Sequence, residues 1–472
     1  MRTLVGLLLS AALLAQSSLM LNADGSNDHY TGVARVALGP RCTGFLVNVN
    51  SRADSPAYVV TAGHCLDLLS TNDVVVDRVA RGTVTFHYFA DTADRRKTVP
   101  VRLVRYATMK ERDIAILELE AGFGELVTSG VRPSELVTQP PVLGALLGAV
   151  GAPTNGVPET EQFLRSSECT YDGPAHLLEL GWVFLDNLRF GCPGIGGGSS
   201  GSPLFDVASG RVAGVIHTTT LGSVPLTDCF LNRPCEIHPG METSAESTSY
   251  AVTVHELAHC FDSVGVFSRA QPGCPLDPGS PLQVNARPVR STRATVNGER
   301  VVWSVRPSGA GLERVRYKTG LVDRTDCRDQ SGYSEWIDLG SSAEIRELVP
   351  DREGRYFFCV LGQTNPTRPA WHVLKVDMTP PLVEPRVVIR DTGTVWRAAV
   401  SYLPPELSLY RYKSGRPADT SCEDLEGYRT LLIGWVNLAK ADAPHRLCLI
   451  GYDDADNPTP PRDILVPEGP GR

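Results

Sequence analysis

Short apolar runs alternate with turn residues along most of the chain, and that alternation predicts strands. Between residues 30 and 125 the runs are Gly32–Leu38, Gly44–Asn48, Tyr58–Thr61, Thr83–Tyr88, Val101–Tyr106 and Ile114–Leu119. Closely spaced strands punctuated by turns read as an antiparallel barrel or sandwich. A second set of runs lies between about residues 143 and 254. One stretch changes period: Val254, Leu257, Ala258 and Phe261 recur at helical spacing and predict a helix. Pro272, Pro275, Pro278, Pro281 and Pro288 follow closely, so residues 266–287 read as a linker. At the start, Leu4 to Leu14 is almost unbroken apolar sequence behind Arg2, with small residues after it. Residues 1–20 therefore read as a signal peptide, removed after Ala15 or a few residues later, and residues 21–29 as a short pro-segment or linker.

Beyond the linker the pattern repeats at a period of about 95 residues. Arg316-Tyr317-Lys318 with Gly320 recurs as Arg411-Tyr412-Lys413 with Gly415, and Cys327 recurs as Cys422. Gly332-Tyr333 recurs as Gly427-Tyr428, and Cys359 with Gly362 recurs as Cys448 with Gly451. Each copy is β-rich with one internal Cys pair. This predicts two small β-sandwiches of immunoglobulin or fibronectin type III character, over 288–380 and 381–472, with a seam near Pro380-Pro381. Trp303, Trp336, Trp371 and Trp396 read as core and cross-strand packing. The functional alternative is an adhesion or targeting module with a cell-surface or polymer ligand, which would raise effective concentration at that surface.

Composition narrows the classes. Among 472 residues, 44 Gly and 35 Pro favour a turn-rich β protein and exclude coiled coil and collagen. A net charge of −8 gives no footprint for nucleic acid or anionic lipid. Beyond the N-terminus no apolar run is long enough for a transmembrane segment. The 12 cysteines are even in number and contain no C-x-x-C pair, which in an exported chain argues for disulfides over zinc. Neighbours in order make sensible loops: Cys42–Cys65, Cys169–Cys192, Cys229–Cys235, Cys260–Cys274, Cys327–Cys359 and Cys422–Cys448. The expected location is secreted, either extracellular or periplasmic.

Three segments carry candidate chemistry: Val59-Val60-Thr61-Ala62-Gly63-His64-Cys65, Arg112-Asp113-Ile114-Ala115-Ile116-Leu117, and Gly196-Gly197-Gly198-Ser199-Ser200-Gly201-Ser202-Pro203-Leu204. A serine hydroxyl is a poor nucleophile at neutral pH. It needs an imidazole to take its proton and a buried carboxylate to hold that imidazole. It also needs backbone N–H groups aimed at the developing oxyanion, and a Gly-rich turn can present them. His64 lies at a strand end, Asp113 opens an apolar strand, and Ser200 sits in the glycine turn.

In these segments and their order, residues 30–265 resemble the trypsin-like serine peptidases. Cys42-Thr43-Gly44-Phe45-Leu46-Val47 and Ser249-Tyr250-Ala251-Val252 are similar to further strands of that family. The resemblance implies a chymotrypsin-like double β-barrel with a C-terminal helix. The whole chain is then expected to be all-β, a secreted serine endopeptidase acting on protein or peptide substrates without a cofactor or metal. It implies His64 as general base, Asp113 as its orienter and Ser200 as nucleophile, with Gly198 and Ser200 forming the oxyanion hole. Gly-Ser-Ser-Gly-Ser-Pro is more similar to the bacterial glutamyl and lysyl endopeptidase branch, as are Pro193 and the Cys169–Cys192 pair. Ser199 departs from trypsin, which has an Asp there.

The specificity pocket is expected around Gly194, Ile195 and His217. Gly194 stands where trypsin has its Asp, so selection of Arg or Lys by that route is unsupported. His217 either assists an acidic side chain or packs beneath the cleft, and Asp228 is a candidate to neutralise a Lys. A competing motif, His255-Glu256-Leu257-Ala258-His259, would on a helix offer two imidazoles to zinc. Two other functions stand beside the peptidase reading: a surface-binding protein with a catalytically inactive peptidase-fold head, and a zinc hydrolase using that motif.

Overall fold

The computed structural model describes residues 17–67, 69–221, 229–277, 279, 282–287, 291–340, 344–404 and 406–466. The chain is all-β and divides into two units, Met1–Gly279 and Ser280–Arg472.

In the first unit the strands are β1 (Ser18–Leu19), β2 (Val33–Ala37), β3 (Arg41–Leu46), β4 (Pro56–Thr61), β5 (Val74–Val79), β6 (Thr83–Phe86), β7 (Lys97–Thr108) and β8 (Ile114–Gly122). They continue as β9 (Leu146–Gly151), β10 (Arg165–Glu179), β11 (Trp182–Phe190), β12 (Pro203–Asp206), β13 (Arg211–Thr219), β14 (Cys235–His238), β15 (Met241–Thr243) and β16 (Ser249–Thr253). Among the described residues, seven strands run in the order β5-β7-β6-β2-β3-β4-β8, and a β7–β8 pairing closes them on themselves. Nine others form the second sheet, β11-β16-β13-β12-β9-β10-β14-β15, which β10–β11 closes in the same way, with β1 alongside β10. Closure removes exposed sheet edges and encloses an interior.

Several strands of the first barrel read as continuous apolar runs because both of their faces are covered. Alternate residues feed different cores. Ala57 and Val59 of β4, with Ala115 and Leu117 of β8, point into one cluster that holds Val36, Leu46 and Phe86. Tyr58, Val60, Ile114 and Ile116 point into a second cluster, shared with Val150, Phe205, Val212 and Val215 of the other sheet. A one-residue slip in either strand would exchange the two sets, so the register is strongly specified. That register pairs Thr61 with Ala115, which brings the end of β4 and the start of β8 side by side.

The helix expected over Val254–Phe261 is a single 3-10 turn, Leu257–Cys260. After it the chain turns back: the Asp262 carboxylate accepts the Val264 and Val266 amides, Phe261 pairs with Phe267, and Cys260 is joined to Cys274. An Asp side chain that captures nearby amides competes with helical hydrogen bonding. Leu257, Cys260 and Phe261 therefore reach the core without further helical turns. The α-helix among the described residues lies elsewhere, at Phe123–Thr128.

Residues 1–16, which hold most of the expected signal peptide, lie outside the described residues. From Ser17 onward the chain packs on the first unit. Ser18 and Leu19 pair with β10, Met20 is buried, and the Asn22 and Ala23 amides donate to Asp91. Residues 21–29, read above as a pro-segment or linker, are thus fastened to the barrels.

The second unit holds the two sequence repeats. In the first, a three-stranded sheet (Gln283–Arg287, Val302–Ser308, Ile345–Leu348) and a five-stranded sheet enclose Trp303, Val305 and Phe358. In the second, three strands (Arg386–Asp391, Val395–Ser401, Trp435–Ala439) and a four-stranded sheet enclose Tyr410, Leu447 and Leu449. The repeated residues do the same work in both copies. Lys318 lies opposite Cys359, as Lys413 lies opposite Cys448. Tyr333 donates its hydroxyl to the Cys327 carbonyl, as Tyr428 does to that of Cys422. Lys318 and Lys413 each sit over the matching Tyr ring, at 4.7 and 4.8 Å from its centre.

All six expected disulfides are formed. No helix of the described residues is long and apolar enough to cross a membrane.

Candidate active site

His64 lies in a 3-10 turn, Gly63–Cys65, immediately after β4, and Asp113 immediately precedes β8. Because those strands are register neighbours, the two side chains meet. The Asp113 carboxylate takes two bonds from His64: Oδ2 lies 2.6 Å from Nδ1, and Oδ1 accepts the backbone N–H at 2.9 Å. The second bond fixes the carboxylate as well as the ring. Cys65, joined to Cys42 of β3, anchors the turn.

Asp113 is 2% exposed. Burial by itself raises a carboxyl and is the largest single effect, but the His64 and His217 imidazoles together outweigh it, and Asp113 is held well below the ordinary carboxylate range. For His64, burial works against the charged form, while the Asp113 charge and hydrogen bond work for it. The balance leaves His64 above its ordinary value of 6.5. The pair is therefore a base that prefers to accept a proton.

Ser200 is positioned by the loop before β12. Its carbonyl accepts the Thr43 amide at 2.8 Å, and the Thr43 hydroxyl donates to the Gly198 carbonyl at 2.8 Å. The same hydroxyl accepts the Ala152 amide at 3.0 Å, so one buried threonine ties β3, β9 and the serine loop together. Gly198 has φ +93°, and a Cβ there would lie 2.8 Å from the Ala152 carbonyl oxygen, so only glycine fits without strain. Ser199, neutral where the resemblance has a carboxylate, turns its hydroxyl back to accept the Gly196 amide at 3.3 Å.

The amides of this loop divide into two groups. Those of Ser199, Gly201 and Ser202 donate to the Gly196, Ile216 and Ser199 carbonyls. Among the described residues, the Gly198 and Ser200 amides have no such acceptor. Unsatisfied backbone N–H groups are rare, and a pair flanking a candidate nucleophile is suited to receive an oxyanion. The Ser200 hydroxyl likewise has no hydrogen-bond partner among the described residues, although Ser200 and His64 line one cavity.

That cavity also brings in residues the sequence had only grouped as pocket candidates. Ile195 and His217 line it. Gly194 is one residue away from the lining and packs against Ser17, whose carbonyl and hydroxyl accept from Arg165. His217 is buried, with Nε2 2.9 Å from Asn187 Oδ1 and Nδ1 3.6 Å from Asp113 Oδ2. Asp228 lies outside the described residues.

Sequence reasoning missed several cavity residues, Glu179 and Trp182 among them. Glu179 ends β10 with its carboxylate accepting the Asn232 amide at 2.7 Å, and burial raises it above its ordinary value. Trp182 walls the cavity and donates its ring N–H to the Leu69 carbonyl. The signal for Glu179 was the one used for Asp113: an acid at the end of an apolar run, here Leu177-Leu178.

His255 and Glu256 do not form a metal face. Without a helix, a four-residue spacing no longer stacks two imidazoles. His255 Nδ1 is bonded to the Thr253 hydroxyl at 2.9 Å, and Glu256 is 3.7 Å from Arg112. The one grouping of three potential ligands among the described residues, Cys42, His64 and Cys65, uses both sulfurs in a disulfide.

Residues 42–215 match the family model of the trypsin-like peptidase domain. No curated protein matches the chain. Solved structures similar to it include the protease Anisep from Arthrobacter nicotinovorans, 18% identical with a TM-score of 0.32, covering 47% of this chain and 90% of that one. Another is the thermostable serine protease AL20 from an extremophilic microorganism, 18% identical with a TM-score of 0.32, covering 48% and 92%. A third is neuropsin, a serine protease expressed in the limbic system of mouse brain, 16% identical with a TM-score of 0.32, covering 51% and 95%.

Proposed function

We propose that the chain is a secreted serine endopeptidase that hydrolyses peptide bonds through an acyl-enzyme on Ser200. The observation that carries this reading is one cavity lined by Ser200 and by a His64–Asp113 pair at 2.6 Å, with the Gly198 and Ser200 amides left unbonded in the serine loop. His64 takes the Ser200 proton as Oγ attacks the scissile carbonyl, and Asp113 stabilises the imidazolium that results. The Gly198 and Ser200 amides receive the oxyanion. His64 then gives its proton to the leaving amine, and water repeats the sequence to release the acid. The six disulfides suit an oxidising compartment and support export. The two sandwiches act as a targeting module that holds the peptidase at a surface or polymer.

A fluorophosphonate probe tests the reading, because it labels an activated serine and spares an inert one. Labelling should map to Ser200 and vanish in His64→Ala. A folded chain that binds a surface through its repeats yet never labels would instead favour the second reading, an inactive peptidase-fold head; the unbonded Ser200 hydroxyl is the observation on that side.

A further inference from the structure

The outer face of the second repeat carries charge that the fold does not balance. Its strands Arg386–Asp391, Val395–Ser401 and Trp435–Ala439 lie side by side in that order. Their register sets Arg390 directly across from Arg397, and Arg397 across from Asn437. In the next outward row Val388, Ala399 and Trp435 lie abreast, and Arg386 follows in the row beyond, opposite Ser401. Arg386 and Arg390 are exposed. Arg397 is part-buried, with its guanidinium 5.2 Å from the centre of the Trp435 ring and its Nε donating to Asn437. Among the described residues none of the three arginines forms an ion pair. Like charges directly opposite each other destabilise a sheet, so the Arg390–Arg397 pair costs stability and gains nothing inside the repeat. Two acids bracket the first strand. Asp391 is bonded to Lys440, which leaves Glu384 as a single charge against three.

The first repeat handles the same face differently. With Trp303 matched to Trp396, the positions of Arg397, Ala399 and Trp435 are held by Ser304, Arg306 and Glu344. There the Glu344 carboxylate accepts the Ser304 hydroxyl and lies 3.6 Å from Arg306, so the charge is compensated within the sheet. The second copy has lost that acid and holds an aromatic ring in its place. Its face also ends in an apolar tip. In the segment that leads into Trp435, Leu432 is 88% exposed and Ile433 54%. Tyr402, also exposed, donates its hydroxyl to the Leu431 carbonyl and flanks the tip. An exposed apolar patch rimmed by polar groups marks an interaction surface.

We propose that this face docks on the surface of an anionic phospholipid bilayer, with Leu432 and Ile433 entering its interface and Arg386, Arg390 and Arg397 meeting lipid phosphates. The assignment deepens the targeting role proposed above for the sandwiches and rests on it. A bilayer surface takes both halves of the patch. Aliphatic side chains reach the boundary with the acyl chains, Trp and Tyr suit the headgroup level, and each cation near the surface adds attraction. A soluble polyanion would engage the arginines and leave Leu432 and Ile433 in water. The net charge of −8 is a sum over the whole chain and does not describe this face.

Co-sedimentation of the full chain with vesicles tests the assignment. One set is phosphatidylcholine alone, the other phosphatidylcholine and phosphatidylglycerol in equal parts. The chain should bind the mixed vesicles, release them as salt is raised, and ignore the neutral ones. Leu432→Ser combined with Ile433→Ser should weaken binding about tenfold, and both side chains are exposed enough for the fold to survive. Arg386→Gln and Arg390→Gln should each weaken it about fivefold. Dextran sulfate is the soluble control. Binding to it that persists in the Leu432 and Ile433 variant, with no binding to vesicles, would make the face a polyanion site and overturn the lipid assignment. A dimer that the same variant dissolves, again without vesicle binding, would assign the face to a second copy and overturn it too. Vesicle binding unchanged in every variant would keep the targeting role but move it off this face. Absence of binding to vesicles and dextran sulfate alike would count against the targeting role itself.

Discussion

The first unit and the repeats are built from the same material, short antiparallel strands stapled by disulfides, but they bury different things. Around the cavity of the first unit, Thr43, Thr61, Asp113, Glu179, Asn187, Ser199, Ser202 and His217 are all buried. In the repeats the large enclosed side chains are Trp303, Phe358 and Tyr410, the buried polar groups are fewer, with Asp453 bonded to Asn457, and the lysines of the repeated motif lie part-buried over tyrosine rings. Burying a polar group costs free energy unless each hydrogen bond is replaced. The first unit meets most of that cost with a network that runs from Thr43 to Gly198 and from Asp113 to His64, while Ser202 Oγ and His217 Nδ1 have no hydrogen-bond partner among the described residues. A fold that tolerates such a network holds its groups rigidly, which catalysis requires and a binding scaffold does not.

The comparison breaks most sharply at Ser200. Ser200→Ala should lower turnover by a factor on the order of 10⁶ while leaving the melting temperature unchanged, because in the proposed mechanism Ser200, His64 and Asp113 act as a unit. Substantial activity in that variant, measured on a chromogenic peptide, would place the chemistry elsewhere. Gly198→Ala comes next. Its Cβ would press on the Ala152 carbonyl and turn the amide away, so kcat should fall by about 10²–10³. A variant with normal kcat would remove Gly198 from the oxyanion site.

The pH profile gives a smaller effect. His64 must be neutral to act as base, and its affinity for a proton lies above the ordinary 6.5. Activity is therefore full above that raised value and falls about tenfold per unit below it. A limb at or below 6.5, read from kcat/KM, would show that Asp113 does not outweigh the effect of burial on His64. The smallest effect on chemistry is expected in the repeats. Replacing Cys422 and Cys448 together by Ala should destabilise the second repeat by about 2–4 kcal/mol, seen in a denaturant melt. Cleavage of a small peptide should stay at the wild-type rate; a parallel loss would mean that the repeats support the active site.

Much of this was legible along the chain. The His64, Asp113 and Ser200 segments announce themselves because each places a reactive residue against a strand end or glycine turn, and local sequence controls such turns. The cysteine pairs were suggested by order, since neighbours along the chain close short loops, and the structure forms each of them. The repeat is legible because both copies use the same residues at the same strand positions. The stretch around His255 misled, because helical spacing over two turns is a weak signal and Asp262 with the Cys260–Cys274 link ended the helix after one.

The sequence by itself determined which residues alternate, where turns fall and which side chains can carry chemistry. Only the tertiary structure decided their partners: that the β4–β8 register brings His64 to Asp113, that Thr43 from a distant strand holds the serine loop, and that Asn187 meets the buried His217 ring. The reason is physical. Turn and strand preferences act over a few residues and can be read locally, whereas a buried hydrogen bond depends on which strands close the barrel and on the exclusion of water once they do.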